Sequence, residues 1–137
     1  MRFLTTAAVL AVAFAVPVHA QELSGTLKKI KETGAITLGI RDSAVPFSYI
    51  DDKQKIVGYA IDICMKIVDE IKTELKLDKL EVSENIVTSS NRIPLMANGT
   101  VDLECGSTTN NADRQKQVWF TNTHFLTASR FVSGHVR

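Results

Sequence analysis

Two arginines and two short runs of hydroxyl side chains are the residues in this chain best suited to chemistry. Arg41 follows Gly39-Ile40, Arg92 follows Thr88-Ser89-Ser90-Asn91, and Ser107-Thr108-Thr109 precedes Asn110-Asn111. A guanidinium presents a planar fork that matches a carboxylate in bidentate fashion. Hydroxyls and free backbone N–H groups at a helix start complete a cradle for an anion. Together they describe a site for a small dicarboxylate or another acidic metabolite. Each also has a plainer reading. Arg41 can be a solvated strand-end charge, and Ser89 or Ser90 can cap the helix that starts near Asn91. Arg92 can sit in a surface ion pair worth about 0–1 kcal/mol, and residues 107–111 can be a polar loop. Only their convergence would make a site, and that depends on the elements that hold them.

Those elements alternate. Leu27-Lys28-Lys29-Ile30 and the Lys-Glu pair after it predict a short amphipathic helix stopped by Gly34. Ala35 to Ile40 reads as a buried strand with Ile36, Leu38 and Ile40 on one face. Val45 precedes a proline and is excluded from the helical region, and Asp51 to Gln54 reads as a turn from which Lys55 to Val57 return as a hairpin. The spacing of Cys64, Ile67, Val68, Ile71 and Leu75 predicts a helix over Tyr59 to Leu77, with Lys66 and Glu70 on its opposite face. Of that stripe, Ile71 is expected to matter most, Ile71→Ala costing about 2–5 kcal/mol in a well-packed core. Lys79 to Val87 reads as a strand with Leu80, Val82 and Ile86 apolar. Asn91 to Ala97 reads as a helix ended by Asn98-Gly99. Val101 to Cys105 reads as a strand, Asp113 to Gln117 as a helical turn, and Leu126 to Val132 as a last strand. Strand, helix, strand, helix, strand implies an α/β fold with a mostly parallel sheet. In such sheets ligands bind at the carboxyl ends of the strands, where Arg41, Ser89, Arg92, Ser107 and Thr109 all fall.

The first segment bears on the compartment. Met1-Arg2 is a short positive start, Phe3 to Val18 is almost unbroken apolar, and Val18-His19-Ala20 supplies small residues at the positions a signal peptidase reads. A cleaved signal peptide over 1–20 and a periplasmic product are expected; the run is too short for a comfortable span of about 20 residues. Its removal takes away Arg2 and no acid, leaving equal numbers of basic and acidic side chains. The remaining 21–34 form an N-terminal segment. With 137 residues, 45% hydrophobic, 23% charged and a formal net charge of +1, the chain has the balance of one ordinary soluble domain. It lacks the basic stripe of a nucleic-acid binder. The two cysteines, Cys64 and Cys105, could pair in an oxidising compartment, but two cysteines are no framework. Cys64 on an apolar helix face behaves as a small hydrophobe, and no Cys64–Cys105 bridge is expected. Neither has a histidine at metal spacing, so no metal and no cofactor is expected.

Several stretches resemble a known family. Gly58-Tyr59 followed by Ile61-Asp62-Ile63, then Ile67-Val68 and Ile71, is similar to the signature of family 3 extracellular solute-binding proteins, with Ala60 where an acid is usual. Ser-Asn-Arg-Ile-Pro-Leu at 90–95, Asn98-Gly99-Thr100, and Glu104 to Asn111 with Arg114 to Gln117 resemble its glutamate/aspartate-binding branch. The likeness runs from about Leu23 to Val132. It implies the first lobe of a type II periplasmic-binding-protein-like fold over 35–132, with 133–137 a tail where the crossover to a second lobe would begin. It implies that the second lobe is absent, and that Cys105 has lost the partner cysteine of a return segment. Arg41, Ser89, Arg92, Ser107 and Thr109 would touch an acidic amino acid. The partner would be the membrane permease of an ABC importer, and the protein a monomer. A lone lobe would bind glutamate at millimolar concentration or not at all.

Two other functions fit the same residues less well. An enzyme on this fold, such as a periplasmic dehydratase, needs a buried acid aimed at its substrate. Glu104 and Asp102 are the acids nearest the cradle, and both are expected to be held by salt or hydrogen-bond partners, so no enzymatic activity is expected. The other is an exported fragment without transport function.

Overall fold

A computed structural model describes residues 22–128. In chain order its elements are α1 (Gly25–Thr33), β1 (Ala35–Ile40), β2 (Ser43–Ala44), β3 (Ser48–Ile50), β4 (Ile56–Val57), α2 (Tyr59–Glu74), β5 (Glu81–Ile86), α3 (Arg92–Ala97), β6 (Leu103–Cys105) and α4 (Ala112–Gln115). The expected signal peptide at 1–20 and the tail at 133–137 lie outside the described residues. So does most of the expected last strand; its first residues, 126–128, carry no regular structure.

The parallel sheet has the order β5-β1-β6, so β1 is hydrogen-bonded along both edges. Its alternation behaves as expected: Ile36, Leu38 and Ile40 are buried. They join Ile30 of α1, Cys64, Val68 and Leu75 of or next to α2, and Cys105 of β6 in one core. At the far end of the sheet Lys29 of α1 binds Asp102 at 2.9 Å, and the same carboxylate accepts the Thr37 N–H at 3.0 Å. The small hairpin is present as β3 and β4, extended by β2 into a separate antiparallel sheet of order β2-β3-β4.

Helix α2 starts without a side-chain cap. Its first N–H groups, those of Tyr59 and Ala60, donate instead to the carbonyls of Pro46 and Phe47 at 3.0 and 2.9 Å, which satisfies two donors that a helix start leaves free. That closeness explains Gly58. It sits at φ 138°, and a Cβ there would run into the Phe47 carbonyl, so only glycine fits.

Three expectations change. First, Cys64 and Cys105 form a disulfide, with their Cα atoms 6.0 Å apart. The sequence shows each as an apolar-face residue but not that α2 lies across the end of β6, which brings the two faces together. Second, Ile67 and Ile71 of the helix stripe are only partly buried, while Cys64, Val68 and Leu75 are buried. The helix also stops at Glu74, because Lys76 adopts φ 54°. Third, β5 is an edge strand whose Val82 and Ile86 are 36% and 54% exposed, since it has a partner on one side only.

Two stability outcomes follow from this packing. Leu75→Ala should cost about 2–5 kcal/mol and more than Ile71→Ala, read from urea unfolding of the two variants. Equal costs would mean that Ile71 is a full core residue. Opening the disulfide, which spans a sequence separation of 41, should lower stability by about 4 kcal/mol if loop-closure entropy dominates. The melting temperatures of the oxidised and reduced chain test this.

Candidate functional site

The site lies at the carboxyl ends of the three parallel strands. Arg41 follows β1 directly and is half-buried. Its backbone is clamped by Ser48, which is fully buried: the Arg41 N–H donates to Ser48 Oγ at 2.8 Å, and that hydroxyl donates to the Arg41 carbonyl at 3.0 Å. One serine on the small hairpin therefore sets the direction in which the Arg41 side chain leaves the sheet.

Arg92, the first residue of α3, is buried, and its Nη1 lies 3.8 Å from Oε1 of Glu104 on β6; the two side chains are 8% and 13% exposed. Glu104 therefore has the ion-pair partner expected of it, as Asp102 does in Lys29. Beyond β6 the chain passes very close to this pair. A Cβ on Gly106 would collide with the Glu104 carboxylate and press on Arg41 Cγ, which places Arg41, Glu104 and Gly106 against one another. A third arginine closes the group: Arg114 of α4 donates through Nη1 to the Thr109 carbonyl at 2.8 Å and holds the loop at 107–110.

The electrostatics follow from burial. Desolvation pushes the Glu104 carboxyl above its usual range, opposed first by the Thr108 hydroxyl and then by the guanidiniums of Arg92, Arg41 and Arg114. Burial likewise lowers Arg92, with Glu104 opposing and Arg114 and Arg41 adding to the fall. Among the described residues, the buried side-chain atoms without a hydrogen-bond partner are Nε of Arg41, Nε and Nη1 of Arg92, Oε1 of Glu104 and Oγ1 of Thr108. All of them belong to this cluster. Buried polar atoms are nearly always paired, so their concentration here sets this cluster apart from the rest of the described residues.

Two cavities open beside the cluster. One of about 100 Å³ is lined by Arg92, Glu104 and Thr108, and one of about 360 Å³ by Ser107, Thr108, Thr109 and Phe47; His124 borders both. The segment that carries His124 crosses the second cavity. It is held by Tyr59, whose hydroxyl donates to the His124 carbonyl at 2.9 Å, and by Phe125, packed edge-on against Phe47 at 4.8 Å between centroids.

Of the five residues singled out in the sequence, Arg41 and Arg92 face the same acid, and Ser107 and Thr109 line the adjoining larger cavity. Ser89 is not brought in: it is exposed and borders neither cavity. Neither Ser89 nor Ser90 caps α3. Thr88 and Asn91 do the local work, Asn91 Oδ1 accepting the Thr88 N–H and Thr88 Oγ1 accepting the Asn91 N–H. Sequence reasoning named Thr108 only as part of the hydroxyl run and assigned no site role to Arg114 or Ser48. Arg114 had a signal, a cation just inside a helical turn whose start, Asn111, has capping chemistry and does accept the Arg114 N–H.

A family model for bacterial extracellular solute-binding proteins, family 3, matches residues 36–135. The chain belongs to that family. It is 53% identical over 131 residues to the L-glutamate/L-aspartate-binding protein of Pseudomonas aeruginosa, covering 95% of this chain and 43% of that protein. It is 45% identical over 137 residues to a glutamate/aspartate import solute-binding protein of Salmonella typhimurium, covering 97% and 45%. The chain thus spans less than half the length of these relatives. Among solved structures, a mutant of the arginine-bound form of domain 1 from TmArgBP aligns with a TM-score of 0.62 at 23% identity, covering 72% of this chain and 71% of that one. The cysteine-binding protein of Campylobacter jejuni aligns with a TM-score of 0.58 at 28% identity, covering 67% and 36%. The fold of this family 3 protein is therefore that of the amino-acid-binding proteins, with the parallel α/β sheet described above.

The raised Glu104 carboxyl has a pH signature in stability. Folded Glu104 keeps its proton to higher pH than unfolded Glu104. Its contribution is therefore full below the unfolded value and lost as pH rises through the folded one. Glu104→Gln removes this dependence, so the native chain should gain stability relative to the variant as pH falls from neutrality towards the ordinary glutamate range. Urea midpoints of the two proteins across that range measure it, and a constant difference would mean that Glu104 titrates normally.

Proposed function

We propose that this chain is the first lobe of the substrate-binding component of an ABC importer for glutamate and aspartate. Arg41 and Arg92 bind carboxylate, and the Ser107 and Thr109 hydroxyls line the adjoining cavity, while Ser89 is exposed outside it. One observation is central: Arg41 and Arg92 have buried guanidinium nitrogens without partners, and Arg92 lines a cavity of about 100 Å³ next to the one of about 360 Å³ that Ser107 and Thr109 line. A carboxylate supplies what those nitrogens lack, in the geometry a guanidinium prefers. The names of the relatives point to the same ligands.

Export through a cleaved signal peptide over 1–20 accords with a family named extracellular, and the partner is the membrane permease of such an importer. The ligand is a small acidic amino acid rather than a nucleic acid, and the working form is a monomer. Carriage rather than catalysis is favoured because the two glutamate/aspartate relatives are named as binding proteins. The arginine-bound domain 1 of TmArgBP shows that one domain of that protein can hold an amino acid, which supports binding by a single lobe here and weighs against an inert fragment. Binding by one open lobe should still be weak, because closure from a second side removes water and strengthens each charge contact.

Titration of the chain with L-glutamate, followed by NMR chemical shifts, tests this. A millimolar dissociation constant is expected, with L-glutamine weaker. Arg41→Met should weaken glutamate by roughly tenfold to a hundredfold, the equivalent of a charged hydrogen bond of about 1.5–3 kcal/mol. Glutamate shifts that leave the residues around Arg41, Arg92 and Ser107 unmoved would refute the site, and a submicromolar constant would refute the part given to closure.

A further inference from the structure

The acid inside the arginine cluster needs its own account. A carboxylate-binding site has no evident use for a carboxylate of its own, yet Glu104 lies within it, nearly enclosed and 3.8 Å from Arg92. Arg92 pairs with it from α3, Arg41 at the end of β1 packs by Gly106 beside its carboxylate, and Thr108 lines the same small cavity, while the charge of Arg114 on α4 acts on it from further off. His124 borders the same small cavity from the segment that crosses the site. The next acid on the same side of the strand, Asp102, is occupied by Lys29 and the Thr37 N–H and takes no part.

Three guanidiniums and one carboxylate give this cluster an excess of positive charge. In the absence of ligand, Glu104 is the anion that keeps the guanidiniums from repelling one another and holds Arg92 in place. An arriving ligand carboxylate seeks the same guanidinium. Two anions on one buried arginine repel each other, and the one with less solvent has the stronger tendency to become neutral.

Resting on the reading of Arg41 and Arg92 as carboxylate binders, we propose that Glu104 is an exchangeable counter-ion of the site: a ligand carboxylate displaces it from Arg92, and Glu104 takes a proton from solvent as it yields. The bond changes are simple. The Arg92–Glu104 ion pair is replaced by an Arg92–ligand ion pair, one O–H bond forms on Glu104, and the proton is supplied by water or buffer. Glu104 touches Arg92, so it is a positioning residue that acts through the arginine. Its protonation also decides ligand charge: the site accepts an additional anion because it can discard one of its own. Burial already holds the Glu104 carboxyl above its ordinary range, which favours uptake of that proton.

The opposite arrangement is chemically distinct. If Glu104 received the ammonium group of the amino acid, it would stay ionised, and ligand binding would ease its ionisation. The two cases move the titration of one carboxyl in opposite directions.

The experiment follows the side-chain carboxyl carbon of Glu104 by NMR as a function of pH in the uniformly labelled chain, with and without saturating L-glutamate, the resonance being assigned from its loss in Glu104→Gln. The expected result is a titration midpoint that rises on binding. With it goes a glutamate association constant that increases by up to about tenfold per pH unit as pH falls from neutrality, above the range where glutamate's own side chain titrates. In Glu104→Gln this pH dependence is gone. A midpoint that stays or falls on binding overturns the proposal, as does a pH dependence that persists in Glu104→Gln. Should Glu104→Gln not fold, the midpoint shift in the native chain decides alone. Absence of any glutamate-induced shift at any pH would overturn the reading of the site itself, and this proposal with it.

Discussion

Strand β1 is paired on both edges, and the rest of the structure depends on that pairing. A strand with parallel neighbours on each side cannot be joined to them by tight turns; each connection must travel back the length of the sheet. The return from β1 to β5 contains the hairpin and α2, and the return from β5 to β6 contains α3. Because all three strands point the same way, Arg41, the 88–91 turn and the 106–110 loop emerge together at one end. The site is in this sense a product of strand direction. The apolar face of β1 supplies the complementary half of the constraint, since Ile36, Leu38 and Ile40 are covered only when α2 lies across them.

Two links then hold the site end against that core. The disulfide ties α2 to Cys105, the last residue of β6, and the next residue, Gly106, begins the loop that lines the larger cavity. On the other side of the strand, Glu104 holds Arg92. These links differ in kind. The disulfide limits how far the loop can move; the ion pair sets the charge that the loop surrounds. A buried ion pair contributes little net stability once desolvation is counted, yet losing one partner is costly. Its presence at this position is better explained by the function of the arginine than by the stability of the lobe.

Much of the architecture was legible from residue pattern. The bounds of β1, the hairpin return at 55–57, the start of α2 and the stop of α3 at Asn98-Gly99 come from local chemistry: alternation, turn residues, periodicity and a chain that cannot continue a helix. The edge exposure of β5 was not legible, because an apolar strand reads the same whether it has one neighbour or two. Nor was the capping of α3, where Ser89, Ser90, Thr88 and Asn91 all have suitable side chains and only backbone direction selects among them.

By itself the sequence determined which residues could form strands and helices, and that two arginines would follow the ends of such elements, since these depend on neighbours within a few positions. Its resemblance to a known family also named the carboxylate chemistry. The tertiary structure alone decided that Cys64 meets Cys105, that Ser48 aims Arg41, that Arg114 joins the loop, that Ser89 stays outside, and that Glu104 is buried against Arg92. Each of these is a contact between residues distant in the chain or a choice among equivalent side chains. Such contacts depend on where whole elements cross, and crossing is set by the packing of the core rather than by any local signal.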